Sequence, residues 1–157
     1  MNLQEYRWLG SLCMAVACVA LGGCGGAYDA TVKGVVTLDG NPVTAGAVAF
    51  IPSAGGSLGY ARTDRAGRYE VFTGNESGLP SGEYGVTVVA REAPKETHSK
   101  LGGPSQPGKR ITPPWYGSSK SSPLSYTVEP GSNKISLELS SEPPPGWKPP
   151  KRGRRSS

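Results

Sequence analysis

The chain has 157 residues, 36% of them hydrophobic and 18% charged, with 23 glycines and 15 prolines. Gly and Pro are the poorest helix formers, so this composition excludes a coiled coil or helical bundle and fits one small all-β domain with many turns. The net charge of +5 is uneven: residues 143–157 carry Lys148, Lys151, Arg152, Arg154 and Arg155 without an acid, leaving twelve basic and twelve acidic residues in the rest.

At the N-terminus, Trp8 to Leu21 (WLGSLCMAVACVAL) is an apolar run of fourteen residues. A membrane-spanning helix needs roughly twenty, so this is the length of a signal-peptide core. The flank before it is only weakly basic, because Glu5 offsets Arg7. Directly after the run, Leu21-Gly22-Gly23-Cys24 resembles a bacterial lipobox, although Gly22 is less usual there than Ala or Ser. The resemblance implies removal of residues 1–23, acylation of the Cys24 thiol and often a further acyl chain on the new amino group. Several chains give stable anchoring where one alone is marginal. An ordinary secretory signal and an uncleaved membrane anchor are the alternative readings. Under the lipobox reading Cys13 and Cys18 leave with the signal, and no cysteine remains for a disulfide framework.

Residues 24–29 form a short tether, and from Ala30 the pattern takes the period of two expected of half-buried strands. In ATVKGVVTL, Val32, Gly34, Val36 and Leu38 share the inward face, while Lys33, Val35 and Thr37 point out. Asp39-Gly40-Asn41-Pro42 is a turn, and GAVAFIP is a strand closed by Pro52, which cannot donate to a ladder. Asp64-Arg65-Ala66-Gly67 predicts a tight hairpin between Tyr60–Thr63 and Arg68–Thr73. EYGVTVVA follows with Tyr84, Val86, Val88 and Ala90 on one face, then Leu124 to Val128, a Pro130-Gly131 turn, and KISLELS with Ile135, Leu137 and Leu139 inward. This makes seven strands over residues 30–141 and argues for a β-sandwich, although strand number alone does not separate a sandwich from a barrel.

Residues 91–123 interrupt the pattern with a long loop rich in Pro, Gly, Ser and Lys. Loops of this length in compact domains are usually functional or disordered. Within it Trp115 and Tyr116 admit two readings: packing back over an open end of the sandwich, or an exposed contact for a partner or sugar face. Residues 142–157, with Trp147 among prolines, predict a disordered basic tail.

Three stretches, VKGVVTLDGNPVTAGAVAFIP, ARTDRAGRYEV and LPSGEYGVTVVA, together resemble the carboxypeptidase regulatory-like, transthyretin-like (prealbumin-like) family over roughly residues 30–92. The features that carry the likeness are Gly34, the Asp39-Gly40-x-Pro42 turn, Thr63-Asp64-x-x-Gly67-x-Tyr69, and Gly82-x-Tyr84. Ser81 departs from the Pro or Ala more typical before Gly82. The remainder, PPWYGSSKSSPLSYTVEPGSNKISLELS, looks like the C-terminal part of small lipoproteins of this class, common in planctomycete bacteria. The resemblance implies a seven-stranded Greek-key β-sandwich and says little of function, since one sandwich serves many tasks.

Catalysis needs tuned groups held together. His98 is the only histidine and lies alone in the long loop; Asp64 and Glu70 are accounted for by turn formation and a solvent-facing strand side. The sequence has no G-x-S-x-G elbow and no G-x-x-x-x-G-K-[ST] phosphate loop, and no cofactor or metal is expected. The expectation is therefore a non-enzymatic, lipid-anchored envelope protein, on the periplasmic or outer surface, with the sandwich as a structural or binding module. Its expected partners are the membrane through Cys24 and envelope polyanions or polysaccharide through the basic tail; nucleic acid is not expected. The alternative is a carbohydrate-binding or transport-associated accessory module, with Trp115, Tyr116 and Trp147 as candidate partner contacts.

Overall fold

The computed structural model describes residues 27–94 and 107–149. The first half of the chain forms β1 (Ala30–Leu38), β2 (Asn41–Pro42), β3 (Ala47–Pro52), β4 (Gly59–Arg62), β5 (Arg68–Glu70), β6 (Phe72–Thr73), β7 (Glu76–Ser77) and β8 (Gly82–Val89). A 3₁₀ turn, Pro114–Gly117, precedes β9 (Ser125–Val128), β10 (Gly131–Lys134) and β11 (Leu137–Leu139). The strands form two sheets. In the first, β1 pairs in parallel with β10 and then β11, and antiparallel with β5 and β2. The second is antiparallel throughout, in the order β7-β6-β4-β3-β8-β9.

The two inner faces share one core, so the fold is an all-β sandwich. Val32, Val36, Tyr69, Leu137 and Leu139 from the first sheet meet Val48, Phe50, Ala61, Tyr84, Val86, Val88 and Val128 from the second. Phe50 joins the layers, its ring centroid 6.2 Å from Tyr69 and 6.1 Å from Tyr84. Of the inward positions read from the alternation, Val32, Val36, Tyr84, Val86, Val88, Ala90, Leu137 and Leu139 are buried, while Gly34, Leu38 and Ile135 are half-buried.

Local chemistry sets the ends of these strands. β1 and β2 are joined by Asp39 and Gly40, both at positive φ (49° and 82°), the two-residue turn whose twist matches that of the flanking strands. The Asp64 side chain accepts hydrogen bonds from the Ala66 and Arg68 amides at 2.8 Å each, fixing the next turn. The Tyr84 hydroxyl donates to the Pro80 carbonyl four residues upstream at 2.8 Å, a tyrosine corner that sets how the chain enters β8. The unusual Ser81 has a purpose here: its amide and hydroxyl both donate to the Asp29 carboxylate, at 2.8 and 2.6 Å. A proline would lack the amide donor. Asp29 thereby fastens the start of β1 to the start of β8.

Three expectations change. The Asp64–Gly67 turn forms, but its flanking strands pair with each other only at Tyr60 and Phe72, because β5 leaves to pair with β1. Val71 is the point of exchange: its amide donates to Val32 in the first sheet, and its carbonyl accepts from Gly78 beside the second. The expected final strand is likewise broken at Ile135–Ser136, where the Ile135 carbonyl swings over Gly34 and accepts from the Tyr69 hydroxyl at 2.7 Å. With β2 and β7 added, the seven expected strands become eleven segments. Finally, the ends of the 91–123 segment are not free loop. Ile111 donates to Ala90 and Glu92 to Lys109, while the Thr112 hydroxyl accepts from the Ala90 amide and donates to the Val88 carbonyl.

The chain enters at one pole of the sandwich, where Ala30 lies beside Leu79 and Gly131, and β1 runs to the opposite pole, where Leu38 lies beside Leu139. Thr112, beside Val88 and Ala90, and the exit at Ser140 both belong to that second pole, the Ser140 amide donating to the Tyr116 hydroxyl at 3.0 Å.

Candidate functional site

The most distinctive surface lies on the flank, along the outward side of the strand that changes sheets. Alternation persists through the exchange: Tyr69, Val71 and Thr73 are buried, while Arg68, Glu70 and Phe72 face away from the core. These three line a groove of about 750 Å³ together with Lys33, Lys134 and Arg62. Four cations thus surround one carboxylate. Glu70 is engaged, its Oε2 lying 3.2 Å from Lys33 Nζ and its Oε1 accepting from Ser77. Among the described residues this is the one ion pair within 4.0 Å, so Arg62, Arg68 and Lys134 present their charge to solvent.

At one end of the groove the Phe72 ring is 40% exposed, and Tyr60, directly opposite it across β4 and β6, is 49% exposed. Two large aromatics side by side at the surface form an apolar platform beside the cations. Gly59 keeps this edge compact, since a Cβ there would lie 2.8 Å from the Val71 side chain.

A neutral domain is therefore not a uniform one. Lys33 was recognisable as outward-facing from its place in ATVKGVVTL, but Lys134 reaches the same surface from near the other end of the chain. The signal available in sequence was the outward phase of Arg62, Arg68 and Lys33 in three separate runs. That phase does not say which runs become neighbours.

The residues singled out from sequence fall elsewhere. Trp115 and Tyr116 are only 6% and 5% exposed, so the exposed aromatic contact is corrected: the 3₁₀ turn folds both rings onto the core. Pro113 and Pro114 set the turn, the Ser121 hydroxyl holds the Trp115 carbonyl at 2.8 Å, and Tyr116 receives the Ser140 amide. Trp147 is half-buried and meets Trp115 edge-on with ring centroids 5.0 Å apart. The first part of the predicted disordered tail, to Pro149, thus packs on the domain through its tryptophan. Cys24, His98 and Lys151 to Arg155 lie outside the described residues.

Asp64 and Glu70 do not act as a carboxylate pair; the turn amides hold the first and Lys33 with Ser77 the second. No group of three or more His, Cys, Asp or Glu side chains that could hold a metal is found among the described residues. The displaced protonation equilibria are structural. Burial raises the phenols of Tyr69, Tyr84 and Tyr126, and hydrogen bonds from Ser81 and Ser141 lower the carboxyls of Asp29 and Asp39. Burial and then the charge of Arg91 lower the Arg110 guanidinium.

No family model matches the chain, and no curated protein or solved structure matches it either.

Proposed function

We propose that the chain is a lipid-anchored bacterial envelope protein, of the planctomycete lipoprotein kind. Its carboxypeptidase regulatory-like, transthyretin-like sandwich would serve as a non-enzymatic binding module held at a membrane surface by acyl chains on Cys24. The observation that carries the reading is the short, fastened entry into the fold. Only residues 24–29 separate the lipobox cysteine from β1, a stretch spanning at most about 20 Å when extended. Its last residue, Asp29, is clamped by Ser81 and accepts the Gly131 amide on its carbonyl. An acylated Cys24 would therefore hold the Ala30 pole close to the membrane and leave the flank and the far pole free for partners.

Binding rather than catalysis is supported by the chemistry of the groove. Its side chains include four cations, one carboxylate already ion-paired, a phenyl ring and the neutral Ser132 and Asn133. Such groups attract an anionic ligand by charge and orient it by hydrogen bonding.

Palmitate labelling with membrane fractionation tests the anchor. Wild-type protein should take up label and sediment with membranes, and Cys24→Ser should do neither. A soluble, unlabelled wild-type protein overturns the reading.

A further inference from the structure

We propose that the flank groove binds an anionic polysaccharide, with Arg62, Arg68 and Lys134 receiving its acidic groups and Phe72 with Tyr60 stacking against a sugar ring. The inference deepens the binding-module reading above by naming the ligand class.

The groove selects an anion by charge, since four cations face one carboxylate that Lys33 already neutralises. The occupant is not another part of this chain. Residues 1–26 balance one acid against one base, residues 95–106 are net positive, and residues 150–157 carry four bases and no acid. A second copy docking by the same face would set cations against cations.

Among external anions, shape and donor chemistry separate the classes. A chain carrying acids at intervals can lie along the strip formed by Arg62, Arg68, Lys33 and Lys134, which come from β4, β5, β1 and β10. The groove also carries acceptors, the Glu70 carboxylate and the Ser132 hydroxyl. Sugar hydroxyls can donate to both, whereas a phosphodiester backbone offers no donor. The exposed Tyr60 and Phe72 rings add an apolar face on which a pyranose can lie beside its own carboxylate.

The test uses the full-length chain in mild detergent and immobilised polygalacturonate, so its outcome does not depend on whether Cys24 is acylated. Wild-type protein should bind, and binding should weaken as salt rises. Arg62→Glu with Arg68→Glu should weaken it at least about tenfold at low salt and flatten the salt dependence. Lys134→Glu, on a separate strand, should act in the same direction. Phe72→Ala should weaken binding about three- to tenfold while leaving the salt dependence unchanged. Replacing Lys148, Lys151, Arg152, Arg154 and Arg155 by Ser should leave most of the affinity, and neutral dextran should not bind. Binding that survives all the groove variants, or vanishes with the tail charges alone, overturns the proposal. So does equal binding of dextran, or groove-dependent binding that is tighter to phosphatidylglycerol vesicles or duplex DNA than to polygalacturonate. Loss of palmitate labelling with polygalacturonate binding retained would refute the anchor and leave the groove standing.

Discussion

Gly34 shows how a single residue can hold two sheet edges in register. A Cβ placed there would lie 1.8 Å from the Ile135 carbonyl oxygen and 2.7 Å from its carbon, and neither backbone atom can yield without moving the strand. Gly34→Ala is therefore expected to cost about 3 kcal/mol or more, or to prevent folding, as an overpacking that cannot relax. Gly85→Ala is the control: the nearest atom lies 4.0 Å away and the variant should stay within about 1 kcal/mol of wild type in urea unfolding. The oxygen that excludes a side chain at 34 also accepts from the Tyr69 hydroxyl, whose phenol burial holds well above its ordinary value of 10.0. A raised phenol keeps its proton in the folded state after the unfolded chain has lost it. Its stabilisation is thus complete below pH 10 and declines as pH rises beyond that; Tyr84 and Tyr126 add to the same decline. Asp29 and Asp39 act at the other limb, with contributions present above their usual 3.8 and lost as pH falls below it. Urea midpoints should plateau between these limbs, and Tyr69→Phe should make the alkaline decline shallower. Gly34 was singled out in sequence only by a resemblance and by its inward phase in ATVKGVVTL. Its physical reason was not legible, because the atom it accommodates comes from the break between β10 and β11, near the far end of the chain.

Among the elements, alternation was read correctly over β8 and the first half of β1, whose inward Tyr84, Val86, Val88 and Val32 are buried. Asp39-Gly40 was legible for a similar reason, since a two-residue turn with both φ values positive is decided by its own residues. What was not legible is where a strand changes partners. Arg68–Thr73 keeps a period of two throughout, yet Val71 divides its hydrogen bonds between sheets, and nothing in the alternation marks that point. Tertiary packing likewise decides the fate of TPPWYG, for which the sequence admits both burial over the sandwich and exposure. Burial of Trp115 also draws the tail inward, as its edge-on contact with Trp147 shows. Trp147→Ala should remove about 0.5–1.5 kcal/mol of pair energy beyond the lost area and red-shift the emission of Trp115. Unchanged stability together with an unshifted spectrum would mean that the contact does not persist in solution.

For the molecule as a whole, the sorting of cations onto one flank of a domain of balanced charge depends on β1, β4, β5 and β10 meeting there, which outward phase alone does not reveal. The same assembly also fixes how the domain bears load. The chain enters β1 at Ala30 and leaves β11 at Leu139, at opposite poles, and these terminal strands run parallel through four residue pairs and then three. A pull applied to the two ends draws β1 and the β10–β11 line past each other lengthwise. All of those backbone bonds then resist together, whereas strands peeled apart from one end would yield one bond at a time. Single-molecule extension should find a higher rupture force when the load is applied through Ala30 and Leu139 than through Ala30 and Gly131, which share a pole. The fold is thus a mechanical shear clamp, suited to keeping its shape while one end is fixed and the other is dragged.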